Sequence, residues 1–217
     1  MMNVSEALQT RRSCRAFKPD PVDRDTLLAI LNDTLRAPSW GNTQPWEIWV
    51  AGGELLTEIN RAYLANKKDH VSTNSDIPRP IKWTADANVH MKKFISDISH
   101  VADDAAKMFS ELNEKFFYAP VVIYLCMDKS LTSWSMFDLG GLSQSIMLAA
   151  TERGLATIPA VTLVHYPEIL RSKLGIPDNL SIVLGIAIGY EDEQHPFSKF
   201  ISTRRQVADV AKIKGIE

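Results

Sequence analysis

The chain has 217 residues, with 45% hydrophobic and 23% charged side chains, an ordinary balance for a globular protein that argues against disorder. Its 24 Lys+Arg against 26 Asp+Glu leave a formal net charge of −2. That balance argues against nucleic-acid or membrane-surface binding through bulk positive charge, so any anion site must be built locally.

In chain order, Asn3 followed by Glu6 has the form of a capping box opening a short helix through Gln9. Asp23 is a good N-cap for a second helix, in which Leu27, Leu28, Leu31 and Leu35 recur at helical spacing. That helix must stop before Pro38, because proline disfavours helical geometry in the residue ahead of it. Pro38 to Pro45 is a polar loop, and Trp46–Val50 alternates like a strand ending at Gly52-Gly53. Residues 54–67 read as a helix through Leu55, Leu56, Ile59 and Tyr63. Asp69–Lys82, with Pro78 and Pro80, reads as a long irregular connection, a common form of lid or binding loop.

One helix is expected from about 85 to 115, carried by Val89, Phe94, Ile98, Val101, Ala105, Met108 and Leu112. Val121–Met127 is an apolar run that reads as a buried strand. Residues 134–153 predict a helix apolar on most sides and rich in small residues, stopped by Gly154. A strand near 157–162, a short helix between Pro167 and Gly175, and a buried strand Ser181–Gly189 follow. Strands and helices mix without a regular βαβ count, so the expected class is α+β, with one sheet covered by helices.

The opening residues lack the apolar core of a signal peptide. The most apolar stretches, near 120–127 and 180–188, stop well short of the ~20 residues of a membrane span. The two cysteines, Cys14 and Cys126, are too few for a disulfide framework or a four-cysteine zinc site. A reduced, soluble, cytoplasmic protein is the expectation.

Two clusters carry chemistry. Arg11-Arg12-Ser13-Cys14-Arg15 sets three guanidiniums and a hydroxyl directly after a helix, able to grip a phosphate or other planar anion. By itself it reads first as a solvated basic turn. Ala37-Pro38-Ser39-Trp40-Gly41-Asn42-Thr43-Gln44-Pro45-Trp46 packs short hydrogen-bonding side chains between two prolines. By itself it is equally readable as a well-made turn. The five histidines show no i, i+4 pair, so no metal site is expected. Ser143 lacks the second glycine of a nucleophile elbow, and Gly185 and Gly189 lack the pattern of a dinucleotide fold.

Taken together, Arg-Arg-Ser-x-Arg at 11–15 and Ala-Pro-Ser-x-x-Asn-x-Gln-Pro-Trp at 37–46 resemble the FMN-dependent nitroreductase family. Gly154-Leu155-Ala156-Thr157-Ile158-Pro159, the strand Ile182–Gly189 and the late pair Arg204-Arg205 match as well, so that only 66–118 stays unrecognised.

The resemblance implies a nitroreductase-like α+β fold with one mostly antiparallel sheet, forming an intertwined homodimer with FMN at the interface. It implies one domain over 1–217, with a variable loop or lid at 66–83 and an extension at 195–217. Arg11, Arg12, Ser13 and Arg15 would contact the phosphate, ribityl chain and pyrimidine edge. Pro38, Ser39, Trp40 and Asn42 would come from the other subunit. Pro159, Ala160, Val161 and Thr162 would pass beside the ring, with the Val161 N–H near N5, and Arg205 would close on the phosphate.

The implied activity is reduction of nitroaromatic or quinone-like acceptors by NADH or NADPH in ping-pong order, with no obligatory protein acid or base. Another flavin reaction on the same scaffold, such as reductive dehalogenation, and a non-catalytic flavin-binding redox sensor stay open. Trp40 stands where many relatives carry a smaller residue, and Val161 stands where some are acidic. Cys14, flanked by arginines, is either a reactive low-pKa thiol or a small residue tolerated beside a phosphate.

Overall fold

The computed structural model describes residues 2–216. Helix α1 (Val4–Thr10) starts on the expected capping box: Asn3 Oδ1 accepts the Glu6 N–H at 3.0 Å, and Glu6 accepts the Asn3 N–H at 2.9 Å. Helix α2 (Arg24–Thr34) starts on Asp23, whose carboxylate accepts the Thr26 N–H at 2.9 Å. Strand β1 (Glu47–Gly52) and helix α3 (Gly53–Lys68) then precede the irregular stretch through Lys82.

The expected single helix over 85–115 is two helices, α4 (Ala85–Ser99) and α5 (Ala105–Glu114). The cause lies in the Ser-His pair at the break. The Ser99 hydroxyl donates to the Ser96 carbonyl at 2.7 Å, and His100 Nδ1 lies 2.6 Å from the same oxygen. These side chains satisfy a carbonyl that the next helical turn would have used. The hydrophobic spacing continues across the break because both helices pack on one core.

Strand β2 (Val121–Asp128) and helix α6 (Ser133–Glu152) stand where the sequence put them. Gly154 follows α6 at φ +73°, the left-handed stop that only glycine adopts without strain. Strand β3 (Ala156–Ala160) ends two residues sooner than expected, because Val161–Val164 curl into a 3₁₀ turn. Helix α7 (Pro167–Leu174), strand β4 (Leu180–Gly189) and the single turn α8 (Val207–Val210) complete the order.

The four strands form one fully antiparallel sheet in the order β1-β2-β4-β3. The two central strands are apolar on both faces, which is why they read as continuous runs rather than alternating ones. On one face Val122, Tyr124, Cys126, Ile182 and Ala187 pack against Leu56, Ile59 and Tyr63 of α3, Leu112 of α5 and Leu170 of α7. On the other, Val121, Ile123, Leu125, Met127, Ile186 and Ile188 meet Ile30 of α2 and Leu139, Leu142, Ile146 and Ala150 of α6.

Strand β3 is an edge, and Pro159 is tolerated there because its missing N–H breaks no central ladder. Its outer side is covered in part by the chain near Ser13, where the Cys14 N–H donates to the Thr157 carbonyl at 2.9 Å. Among the described residues, no helix is long and apolar enough to cross a membrane.

Candidate functional site

The Ser13–Thr157 bridge brings the arginine cluster to the edge of β3, and the same strand runs on into Pro159–Thr162. Two of the predicted groups, distant in sequence, are thereby neighbours. Val161 opens the 3₁₀ turn, so its N–H has no partner inside that turn, and its side chain is exposed. The Thr162 hydroxyl lies 3.5 Å from the carbonyl of Asn113, a residue that sequence spacing did not single out. Asn113 is brought there by α5 and by the turn that follows it. Phe116, Phe117 and Tyr118 in that turn take φ values of +51°, +60° and +59°. Three successive non-glycine residues in this region store strain of about 1–3 kcal/mol each. The Phe117 carbonyl in turn accepts the Phe17 N–H at 3.1 Å, tying the turn to the end of the arginine segment.

The three arginines of the cluster have different surroundings. Arg12 donates to Glu191 at 2.7 Å and to the Ser198 carbonyl at 3.1 Å, so its charge is matched within the chain. Arg15 is buried, with its guanidinium carbon 5.5 Å from the Phe94 ring centre and 5.1 Å from that of Phe200. Cation–π attraction holds it there, and its Nη1 donates to the Ser13 carbonyl at 3.0 Å. Arg11 is half-buried, and burial together with the positive charge of Arg204 lowers its pKa. Phe94, Phe200, Arg204 and Arg205 line a cleft of about 430 Å³. Among the described residues, Arg11, Arg15, Arg204 and Arg205 have no carboxylate within ion-pair distance. Four unmatched guanidiniums, two of them repelling each other, form a place that an anion would stabilise. The donor set fits a terminal phosphate.

Cys14 is not a reactive thiol. Burial pushes its pKa up to about 12, and its Sγ lies 3.1 Å from the Ala16 carbonyl. Glu191, Phe94 and Phe200 were not legible as partners of the arginines. Glu191 is 179 positions from Arg12, Phe94 read as one of the apolar positions of the 85–115 helix, and Phe200 was not singled out.

The Pro38–Asn42 group lies elsewhere in the chain. The Trp40 N–H donates to Asp138 of α6 at 3.2 Å, and the Trp40 and Trp134 rings meet edge to face at 5.3 Å. The Ser39 hydroxyl accepts the Gln44 N–H at 2.9 Å. Asn42 and Gln44 have φ values of +58° and +46°, so this loop also stores backbone strain. With Trp134 and Phe137, which are 60% and 76% exposed, the loop borders an apolar cleft of about 640 Å³. Among the described residues, no side-chain hydrogen bond or ion pair joins Pro38, Ser39, Trp40 or Asn42 to the arginine cluster.

The model of the Nitroreductase family matches residues 8–190. The chain belongs to the nitroreductase family. It is 32% identical over 215 residues to the 4-nitrobenzoate reductase of Pseudomonas putida, covering 96% of this chain and 94% of that one. It is 30% identical to the 4-nitrobenzoate reductase of Nocardioides sp. (strain LMS-CY), over 91% and 84% of the two chains. Among solved structures it resembles the FMN and NADPH-dependent nitroreductase NfnB from Sphigopyxis sp. strain HMH. That match has a TM-score of 0.92, 29% identity and coverage of 99% of this chain and 100% of that one. The FMN-dependent nitroreductase NfnB from Mycobacterium smegmatis, solved with NADPH, matches at a TM-score of 0.89 and 25% identity, over 98% and 100%. The nitroreductase fold expected from the motifs is therefore the fold observed.

Proposed function

We propose that this chain is an FMN-dependent NAD(P)H oxidoreductase that reduces nitroaromatic or quinone-like acceptors, working as one FMN-binding unit over its whole length. The observation that carries the reading is the set of four unmatched guanidiniums, two of them on the segment that Ser13 bridges to β3, in a chain of this family. Bound FMN supplies the two-electron chemistry, accepting hydride from a reduced nicotinamide and delivering it to the acceptor.

The chain's own residues bind and orient. Arg11, Ser13 and Arg205 hold the phosphate and ribityl chain, and Arg15, fixed between Phe94 and Phe200, meets the pyrimidine edge. Arg12 adds field rather than a free donor, and through Glu191 and Ser198 it holds the tail that carries Arg205. The Val161 N–H, at the start of its turn, faces the ring edge beside Pro159, Ala160 and Thr162. Pro38, Ser39, Trp40 and Asn42 act on the FMN of a second copy.

The purified protein should be yellow and release FMN rather than FAD on heating, because the arginines answer one terminal phosphate. Arg205→Ala should weaken FMN by ~1.5–3 kcal/mol, the scale of a hydrogen bond to a charged group. Fluorescence titration of the apoprotein measures this, and unchanged affinity removes Arg205 from the site.

The exposed Trp40, Trp134 and Phe137 support a homodimer, because an apolar face of this kind is covered in obligate assemblies. Light scattering should read two chains at micromolar concentration. A stable monomer that retains FMN would contradict the shared site.

With one stacking position and no separate dinucleotide fold, donor and acceptor must take turns. Double-reciprocal plots at several fixed acceptor concentrations should give parallel lines. Intersecting lines would end the single-position mechanism while leaving the FMN assignment intact. We place the protein in the cytoplasm on the same reading.

A further inference from the structure

Residues 69–82 have no regular structure, yet they are pinned at four points. The Tyr166 hydroxyl donates to the Val71 carbonyl at 3.1 Å, and the Asn74 N–H donates to the His165 carbonyl at 3.1 Å. Asp76 accepts from Arg171 and from the Ile182 N–H, each at 2.7 Å. Arg79 Nη2 lies 2.7 Å from His165 Nε2. Every anchor falls between Tyr166 and Ile182 or at His165, in the chain directly after Pro159–Thr162. These contacts tie the segment as a strap to the chain that follows the turn, and they place the side chains it carries.

Arg79 is the informative one. Its single side-chain hydrogen bond engages one of five guanidinium N–H groups and neutralises none of its charge. His165 accepts that bond as the neutral ring, and both burial and the Arg79 charge lower its pKa. Among the described residues, no carboxylate lies within ion-pair distance of Arg79. His165 lines a cleft of about 280 Å³ together with Thr162, Asn113 and Tyr166. The cleft's own cation, Lys67, is already paired with Glu114. An exposed, unmatched guanidinium is thus held 2.7 Å from His165, a residue of the cleft that Thr162 also lines.

We propose that Arg79 is a specificity-determining residue that recognises a carboxylate on the acceptor, selecting nitroaromatic acids over neutral nitroarenes. The inference rests on the reductase reading and names its substrate class. Two relatives carry names for an acceptor of this chemistry. A planar guanidinium pairs with a carboxylate through two parallel N–H bonds, which a lysine cannot reproduce.

The test is calorimetric binding of 4-nitrobenzoate and of nitrobenzene to the oxidised, FMN-loaded protein without donor, so that no turnover is needed. Arg79→Ala should weaken 4-nitrobenzoate about tenfold or more, the scale of a lost charged hydrogen bond. It should shift nitrobenzene about twofold or less, and Arg79→Lys should restore part of the loss. Asp76→Asn, which loosens the strap without removing the Arg79 charge, should weaken both ligands together.

Equal weakening of both ligands by Arg79→Ala, or no weakening of either, overturns the assignment. So does an Arg79→Ala variant whose NADPH binding weakens more than its NADH binding while 4-nitrobenzoate binding is intact, because the anion read would then be the donor's 2′-phosphate. A wild-type protein that binds 4-nitrobenzoate through Arg79 but reduces neither it nor any other nitroarene or quinone would remove the reductase reading and leave the recognition role standing.

Discussion

Asp76→Ala should lower the unfolding free energy by about 2–4 kcal/mol, although Asp76 lies in an irregular segment where surface substitutions usually cost little. Its side chain is 14% exposed and that of Arg171 13%, so the ion pair between them, at 2.7 Å, is largely out of water. Removing the carboxylate leaves the Ile182 N–H without its acceptor and Arg171 with only the Leu180 carbonyl at 2.6 Å and a distant Asp178 at 3.5 Å. Asp178 is 98% exposed and recovers part of the Coulomb energy, which keeps the estimate below the full cost of stranding a buried charge. In a domain of this size the loss corresponds to a fall in Tm of about 5–15 °C. Thermal and urea unfolding followed by circular dichroism measure it. A change below about 1 kcal/mol would mean that the strap is not held by this pair.

Gly185→Ala should be the second costly change, by about 1–3 kcal/mol or more, and it should reach the site. Gly185 lies in the sheet interior of β4, and a Cβ added there would sit 2.4 Å from the Leu163 Cβ. Neither atom can rotate away, because both are fixed to the backbone. The Val161–Val164 turn must therefore lift, carrying the Val161 N–H with it. Unfolding should give the stability loss, and the absorbance spectrum of bound FMN should shift as its protein contacts change. A fully stable variant with an unchanged flavin spectrum would show that Leu163 yields without moving the turn.

The two predictions draw on parts of the chain that differed in legibility. The glycine read in sequence only as a residue of a buried strand that lacks the pattern of a dinucleotide fold. Its role is the close approach of Leu163, a contact made by a residue 22 positions away whose direction the turn decides. Asp76 read as one more polar residue in a loop of the expected length. Its partner Arg171 lies 95 positions on, in α7, and the two meet only in the folded chain. The single helix expected over 85–115 failed for a local reason: a hydrophobic repeat reports the face a segment presents to the core, not whether its backbone is continuous. Local rules did better where the determinant was itself local, as at the Asn3 and Asp23 caps and the Gly154 and Gly175 stops.

By itself the amino-acid sequence determined the α+β class and the start and stop of most elements, because caps, turn residues and apolar runs act within a few residues of where they stand. The family was legible only through the resemblance of the 11–15 and 37–46 motifs. The sequence also marked the Arg11–Arg15 and Pro38–Asn42 segments as the ones able to carry chemistry. Only the tertiary structure decided which of those arginines has a free charge. Glu191 matches Arg12, Phe94 and Phe200 enclose Arg15, and Arg204 approaches Arg11, each through contacts between distant segments. It likewise showed that the 69–82 segment is tied to Tyr166, His165, Arg171 and Ile182. A guanidinium's function depends on what already neutralises it, and that is a property of the packed chain, since a carboxylate contributes only when folding brings it within a few ångströms.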